Sequence, residues 1–226
     1  MGGHKVKADE LLKFVKSVNW ETAARTFGNS HNTLIGLLVD AWIRFAPKRK
    51  AHYVLEAPPS LEENEKRKEK ARRLSDVILV HDVRPVGIVE VEGLDPFKAC
   101  KKMARYLKMR KPTRFLFGLC VFYACRPRGG KGQKKELYWL KVKDAKDKDT
   151  GLGNIKKKAQ GISTDKPLML IFVDKEYESD PLDPNIHLRK AGAQYGRGKV
   201  NHVFGYIIVR GKSGSEICLL DKRNKA

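Results

Sequence analysis

Two short apolar runs interrupted by carboxylates constrain this chain more than any other feature. Asp76 heads the run Val77-Ile78-Leu79-Val80, and Glu90 and Glu92 stand inside Gly87-Ile88-Val89-Glu90-Val91-Glu92-Gly93. Runs this short, rich in Val and Ile and separated by His81-Asp82-Val83-Arg84-Pro85, predict two strands of a hairpin. A turn centred near Val83 places Asp76 opposite Glu90. Side chains alternate along a strand, so Glu90 and Glu92 share one face while Val89 and Val91 point to the other. Strands this apolar belong in a sheet covered on both faces. Three carboxylates converging there are expensive to bury without compensation, and oxygen ligands of this kind suit a divalent cation, Mg²⁺ or Mn²⁺.

The charge balance points to a polyanionic partner. The 226-residue chain carries 47 Lys plus Arg against 26 Asp plus Glu, a formal charge of +21. From Pro96 to Lys135 there is no acidic residue, while thirteen basic ones occur. Among them are Lys98, Lys101, Lys102, Arg105, Arg126, Arg128, Lys131, Lys134 and Lys135. The block starts directly after the carboxylates, and a cation site beside a phosphate-binding surface is the arrangement that phosphodiester hydrolysis requires. Arg197 and Lys199 extend the basic set in a Gly-rich stretch whose spacing does not fit a P-loop. DNA is the expected partner, and Lys102, or else Lys98 or Lys101, would neutralise charge developing on phosphate.

The carboxylate pattern resembles the core motif of the PD-(D/E)XK, or restriction-endonuclease-like, nuclease superfamily. Ser75-Asp76 stands where that family has Pro-Asp, and Glu90-Val91-Glu92 stands where it has Glu-x-Lys. Lys102-Met103-Ala104-Arg105-Tyr106 is similar to the Gln-Leu-x-x-Tyr helix of its RecB-like members, with Lys102 at the Gln position and available to replace the missing motif lysine. The resemblance implies an α/β fold, a restriction-endonuclease-like mixed sheet flanked by helices. It also implies a metal-dependent endonuclease of restriction, junction-resolving or repair type, with Asp76, Glu90 and Glu92 as ligands and catalytic groups. A homodimer is implied as well. Glu92 in place of lysine supports the alternative, a catalytically inactive DNA-binding protein or transcription regulator on the same scaffold.

At the N-terminus, helices are expected over Ala8–Val18, over Trp20–Phe27 with Asn19 as cap, and from about Thr33 to Phe45. The segment from Glu21 to Leu34 resembles a helix-turn-helix, which would present Ser30, His31, Asn32 and Thr33 to DNA. The apolar content of the third helix fits equally well a helix packed against the sheet. The chain divides into an N-terminal helical module, residues 1–47, and an α/β core with a C-terminal hairpin, residues 48–226.

Further along, a strand over Ala51–Ala57 and a charged helix over Leu61–Arg73 are expected. A helix over Pro96–Met109 between two strands requires a parallel crossover to the strand Arg114–Ala124. Glu136–Val142 and Leu168–Val173 read as strands, Ile155–Gln160 as part of a short helix, and Tyr177–Asn201 as a long loop. Phe204–Val209 and Glu216–Leu220 form a closing hairpin. Four cysteines without a Cys-x-x-Cys pair predict free thiols rather than a structural zinc site. With no leader and no run long enough to span a bilayer, a cytoplasmic protein without membrane contact is expected.

Overall fold

The computed structural model describes residues 8–24, 30–45, 51–57, 75–92, 96–108, 115–127, 152–162, 165–177 and 198–222. The fold is α/β. Its centre, among the described residues, is a mixed sheet of eight strands: β1 (Ala51–Ala57), β2 (Ser75–His81), β3 (Arg84–Glu92), β4 (Phe117–Pro127), β5 (Leu168–Tyr177), β6 (Gly198–Val209), β7 (Lys212–Ser213) and β8 (Ile217–Asp221). Strands β1 to β7 lie side by side in chain order, and β8 pairs with β6. β3, β4 and β5 run parallel, and the pairs on either side of them are antiparallel.

The two parallel connections carry α3 (Pro96–Lys108) and α4 (Leu152–Ile162). Both crossovers step in the same direction along the sheet. The right-handed rule therefore puts both helices on one face. Their buried side chains, Ala99, Cys100, Met103, Tyr106 and Leu107 from α3 and Ile155 and Ala159 from α4, pack with Ile88, Cys120, Phe122, Leu170, Phe172 and Phe204. The opposite face is covered by α1 (Ala8–Lys16) and α2 (Ser30–Phe45). Their Phe14, Leu34, Leu38 and Trp42 share a core with Val77, Leu79, Val89, Val91, Phe117 and Leu119. Trp42 Nε1 also donates to the Val80 carbonyl oxygen at 3.2 Å, tying α2 to β2. The N-terminal helices are thus one layer of the sheet's own core.

Two expectations change. The described part of the helix expected over Trp20–Phe27 is a single 3-10 turn, Thr22–Ala24, and residues 25–29 lie outside the described residues. Asn19 does cap it, its Oδ1 accepting from the Thr22 N–H at 3.3 Å. A helix-turn-helix display needs a second helix with one face in solvent. Here α2 starts at Ser30 and packs the stripe Leu34, Leu38, Val39, Ala41 and Trp42 inward, while Asn32, Gly36, Asp40 and Arg44 form an exposed face. The second correction shortens the loop expected over Tyr177–Asn201. β5 continues to Tyr177 and β6 begins at Gly198, with the ladder running from Leu168↔Ile208 to Tyr177↔Gly198. The charged helix expected over residues 61–73 and the strand over residues 136–142 lie outside the described residues.

The β2–β3 hairpin has the expected register, Val77↔Val89 and Ile78↔Ile88, so Asp76 stands opposite Glu90 one step on. A two-residue turn closes it, with Asp82 at φ 49° and Val83 at φ 58°. Both signs match the type I′ turn whose twist suits a hairpin, and the β-branched Val83 is strained there.

Candidate functional site: a carboxylate–lysine cluster at the strand ends

Glu90 is the centre of the site. It lies on β3 two positions beyond Ile88, on the face covered by α3, and is only 2% exposed. On α3 the buried stripe Ala99, Cys100, Met103, Tyr106 and Leu107 follows helical spacing. Lys102 stands at its border, and its Nζ donates to Glu90 Oε2 at 2.7 Å. Asp76, on the neighbouring strand, accepts the Val91 N–H through Oδ2 at 2.6 Å, and this bond holds the carboxylate against the end of β3. His31, from the first turn of α2, places Nε2 3.4 Å from the same Asp76 oxygen, and its Nδ1 lies 3.3 Å from Asn32 Oδ1. Glu92, half-buried at the last position of β3, completes the group.

The site carries more negative than positive charge, and the titrating groups show it. Burial, then the charge of Asp76, pushes the Glu90 carboxyl up to about 8; Lys102 pulls the other way without prevailing, and Glu92 adds to the rise. Burial works against the Lys102 ammonium, but its bond to Glu90 and the charges of Glu90, Asp76 and Glu92 outweigh this and hold its pKa above the ordinary lysine value. His31 lies above its usual 6.5, chiefly through its hydrogen bond to Asp76, with burial opposing. All three groups hold protons more tightly than usual, Glu90 chiefly through burial and Lys102 and His31 through the carboxylates beside them.

One buried oxygen of the cluster, Glu90 Oε1, has no hydrogen-bond partner. Buried polar atoms are normally satisfied, so this orphaned carboxylate oxygen stands out, although Asp76, Glu90 and Glu92 do not bring one oxygen each within 4.8 Å of one another.

Of the residues singled out from sequence, Asp76, Glu90, Glu92, Lys102 and His31 are brought together. Lys98 and Lys101 are exposed on α3 and Arg105 is half-buried, so a basic surface adjoins the cluster. Asn32 is exposed and Thr33 half-buried beside His31, while Ser30 opens α2. Arg126 lies on β4 and Lys199 on β6, whereas Arg128, Lys131, Lys134, Lys135 and Arg197 lie outside the described residues. The sequence pattern assigns His31 to the DNA-facing start of a helix-turn-helix. Its contact with Asp76 depends instead on α2 crossing the sheet, which no local pattern announces.

A further group carries no signal in the sequence. His202 on β6 and Cys218 and Asp221 on β8 place one ligand atom each within 4.8 Å of one another. The cysteine-spacing rule looks for ligands close in the chain, and here a strand pairing joins them.

No protein-family model, curated protein or solved structure matches this chain. Fold and site define its class instead: an α/β protein in which Asp76, Glu90, Glu92 and Lys102 come together at the C-terminal end of the parallel strand β3. Among the described residues no helix is long and apolar enough to cross a membrane.

Proposed function

We propose that this chain is a metal-dependent deoxyribonuclease with a restriction-endonuclease-like core. The observation that carries the reading is Lys102 Nζ, 2.7 Å from Oε2 of the buried Glu90, whose Oε1 is left unpartnered beside Asp76 and Glu92. A lysine from the next helix, whose ammonium bonds to Glu90, would compensate for Glu92 in place of the motif lysine. Asp76, Glu90 and Glu92 would hold Mg²⁺ or Mn²⁺, which supplies polarisation of the phosphoryl group and a lowered pKa of bound water.

The chain's own groups then have distinct tasks. Asp76 is fixed by the Val91 N–H and by His31, so its carboxylate is presented rather than found by search. Lys102 keeps its charge because three carboxylates surround it, and it offsets charge that builds on the phosphate. Lys98 and Lys101 on the same helix face solvent and hold the adjoining backbone. The proposal includes a homodimer; the edge strand β1 exposes Tyr53, Val54 and Leu55, an apolar edge that a second copy would cover.

Supercoiled plasmid, branched DNA and single-stranded DNA incubated with the protein and Mg²⁺ or Mn²⁺, beside EDTA, test the reading. Metal-dependent nicking is expected. Glu90→Ala should abolish it while DNA affinity stays the same or improves, because a charge that repels phosphate is removed. Lys102→Ala should lower the rate more than the affinity. Wild-type protein that binds DNA but leaves all three substrates intact with either metal would replace the enzyme by a silent DNA-binding scaffold.

A further inference from the structure

The cluster of His202, Cys218 and Asp221 lies three strand steps from Glu90, roughly 14 Å across the sheet at the usual strand spacing, and is separate from the carboxylate site. We propose that these three side chains form a thiolate-containing metal site that takes Zn²⁺. The first support is the register. β6 and β8 pair antiparallel with Phe204↔Cys218 and His202↔Asp221, and the ladder shifts between Val203 and Phe204. In a regular strand Cys218 and Asp221, three positions apart, would point to opposite faces. The shift places an extra residue, Leu219, on β8 between Leu220↔Val203 and Cys218↔Phe204, and so resets the alternation. Both side chains thereby join His202 on one face. A bulge that re-aims two ligand-type side chains toward a histidine is the structural feature the proposal rests on.

The second support is the setting of the donors. The three ligand atoms already lie within 4.8 Å of one another. Tetrahedral zinc, at about 2.0–2.3 Å from each ligand, wants them roughly 3.5 Å apart, a difference that small side-chain rotations remove. Cys218 and Asp221 are exposed and can make that adjustment, while His202 is 3% exposed and is the rigid partner. Its ring stacks on Phe204 with centroids 4.7 Å apart and planes 23° apart, which fixes the imidazole plane. A thiolate with an imidazole and a carboxylate is a borderline-soft set that selects zinc over Mg²⁺ or Ca²⁺. With three protein ligands, one coordination position stays open to water on the exposed side. The ion also joins the edge strand β8 to β6, so zinc should stabilise the fold.

Full-length protein freed of metal with EDTA and exchanged into chelator-free buffer is titrated with ZnCl₂ by calorimetry, and in parallel with CoCl₂ followed by absorption spectroscopy. One Zn²⁺ per chain is expected at this site. Co²⁺ should give a thiolate-to-cobalt charge-transfer band and tetrahedral d–d bands that Zn²⁺ abolishes. Zinc should also slow the reaction of the exposed Cys218 with a thiol reagent. Cys218→Ser should remove the charge-transfer band, and Asp221→Asn should weaken zinc by about tenfold or more, since even residues that only support a ligand contribute that much. Both variants are at exposed positions and should match wild type in thermal unfolding in EDTA. Glu90→Gln should leave the thiolate-to-cobalt band unchanged. Zinc affinity unaltered by Cys218→Ser, or a cobalt complex without a thiolate band, would overturn the assignment.

Discussion

Replacing Glu90 by Gln should make the metal-free protein more stable, although it removes one partner of a buried ion pair. Moving the Glu90 carboxyl from 4.5 to about 8 disfavours its ionised form in the fold by about 5 kcal/mol, at 1.36 kcal/mol per pKa unit. The folded value is raised, so the stability associated with this group is fully present below about 4.5 and is lost as pH rises to about 8. At pH 7 the carboxyl evades part of that by keeping its proton, and the remaining penalty relative to low pH is about 3 kcal/mol. Gln is nearly isosteric, never ionises and still accepts from Lys102. The weakened attraction for Lys102 reduces the gain, so about 1–3 kcal/mol is expected at pH 7. For a chain of this size each kcal/mol moves Tm by about 2–4 °C, so the variant should melt about 2–12 °C higher in EDTA. The difference should vanish near pH 4. Millimolar Mg²⁺ or Mn²⁺ should narrow it by stabilising wild type alone, since a ligand that binds only the folded state raises its stability. Differential scanning calorimetry across pH 4–8, with and without metal, measures all of this. A variant that melts lower than wild type in EDTA at pH 7 would refute the reasoning, because Glu90 and Lys102 would then be a net stabilising pair rather than part of an under-neutralised cluster.

Two further outcomes follow from the same structure. Arg126→Glu with Lys131→Glu should weaken DNA binding and lower the slope of log affinity against log salt by about 0.9 for each phosphate no longer neutralised; an unchanged slope would make the acid-free block a solubilising surface only. Gly205→Ala should destabilise by about 1–3 kcal/mol in chemical denaturation, because its Cβ would stand 2.6 Å from the Leu170 carbonyl oxygen, a backbone atom that can move only by disturbing the β5–β6 ladder.

The sequence by itself determined what depends on near neighbours. Alternation in Val77–Val80 and Gly87–Glu92 sets which face each carboxylate takes. The register that puts Asp76 opposite Glu90 also needs the one-residue shift between Leu79 and Val80. The turn pairs His81↔Arg84 and Val80↔Pro85 and alone would set Asp76 opposite Val89. A helix from Pro96 between two apolar runs requires a parallel crossover, and that crossover delivers Lys102 to Glu90. What stayed hidden depends on elements meeting across the molecule. The stripe Leu34, Leu38 and Trp42 says that α2 must be covered, but whether by a partner helix or by the sheet is decided only when the face of β2, β3 and β4 offers the larger apolar surface. His31 changes from a residue presented to solvent into the neighbour of Asp76 through that single packing choice. The same holds for His202, Cys218 and Asp221. Strand alternation alone places Cys218 and Asp221 on opposite faces, and the one-residue slip that unites them is set by how β8 fits the edge of β6, a pairing energy that no local pattern of residues encodes.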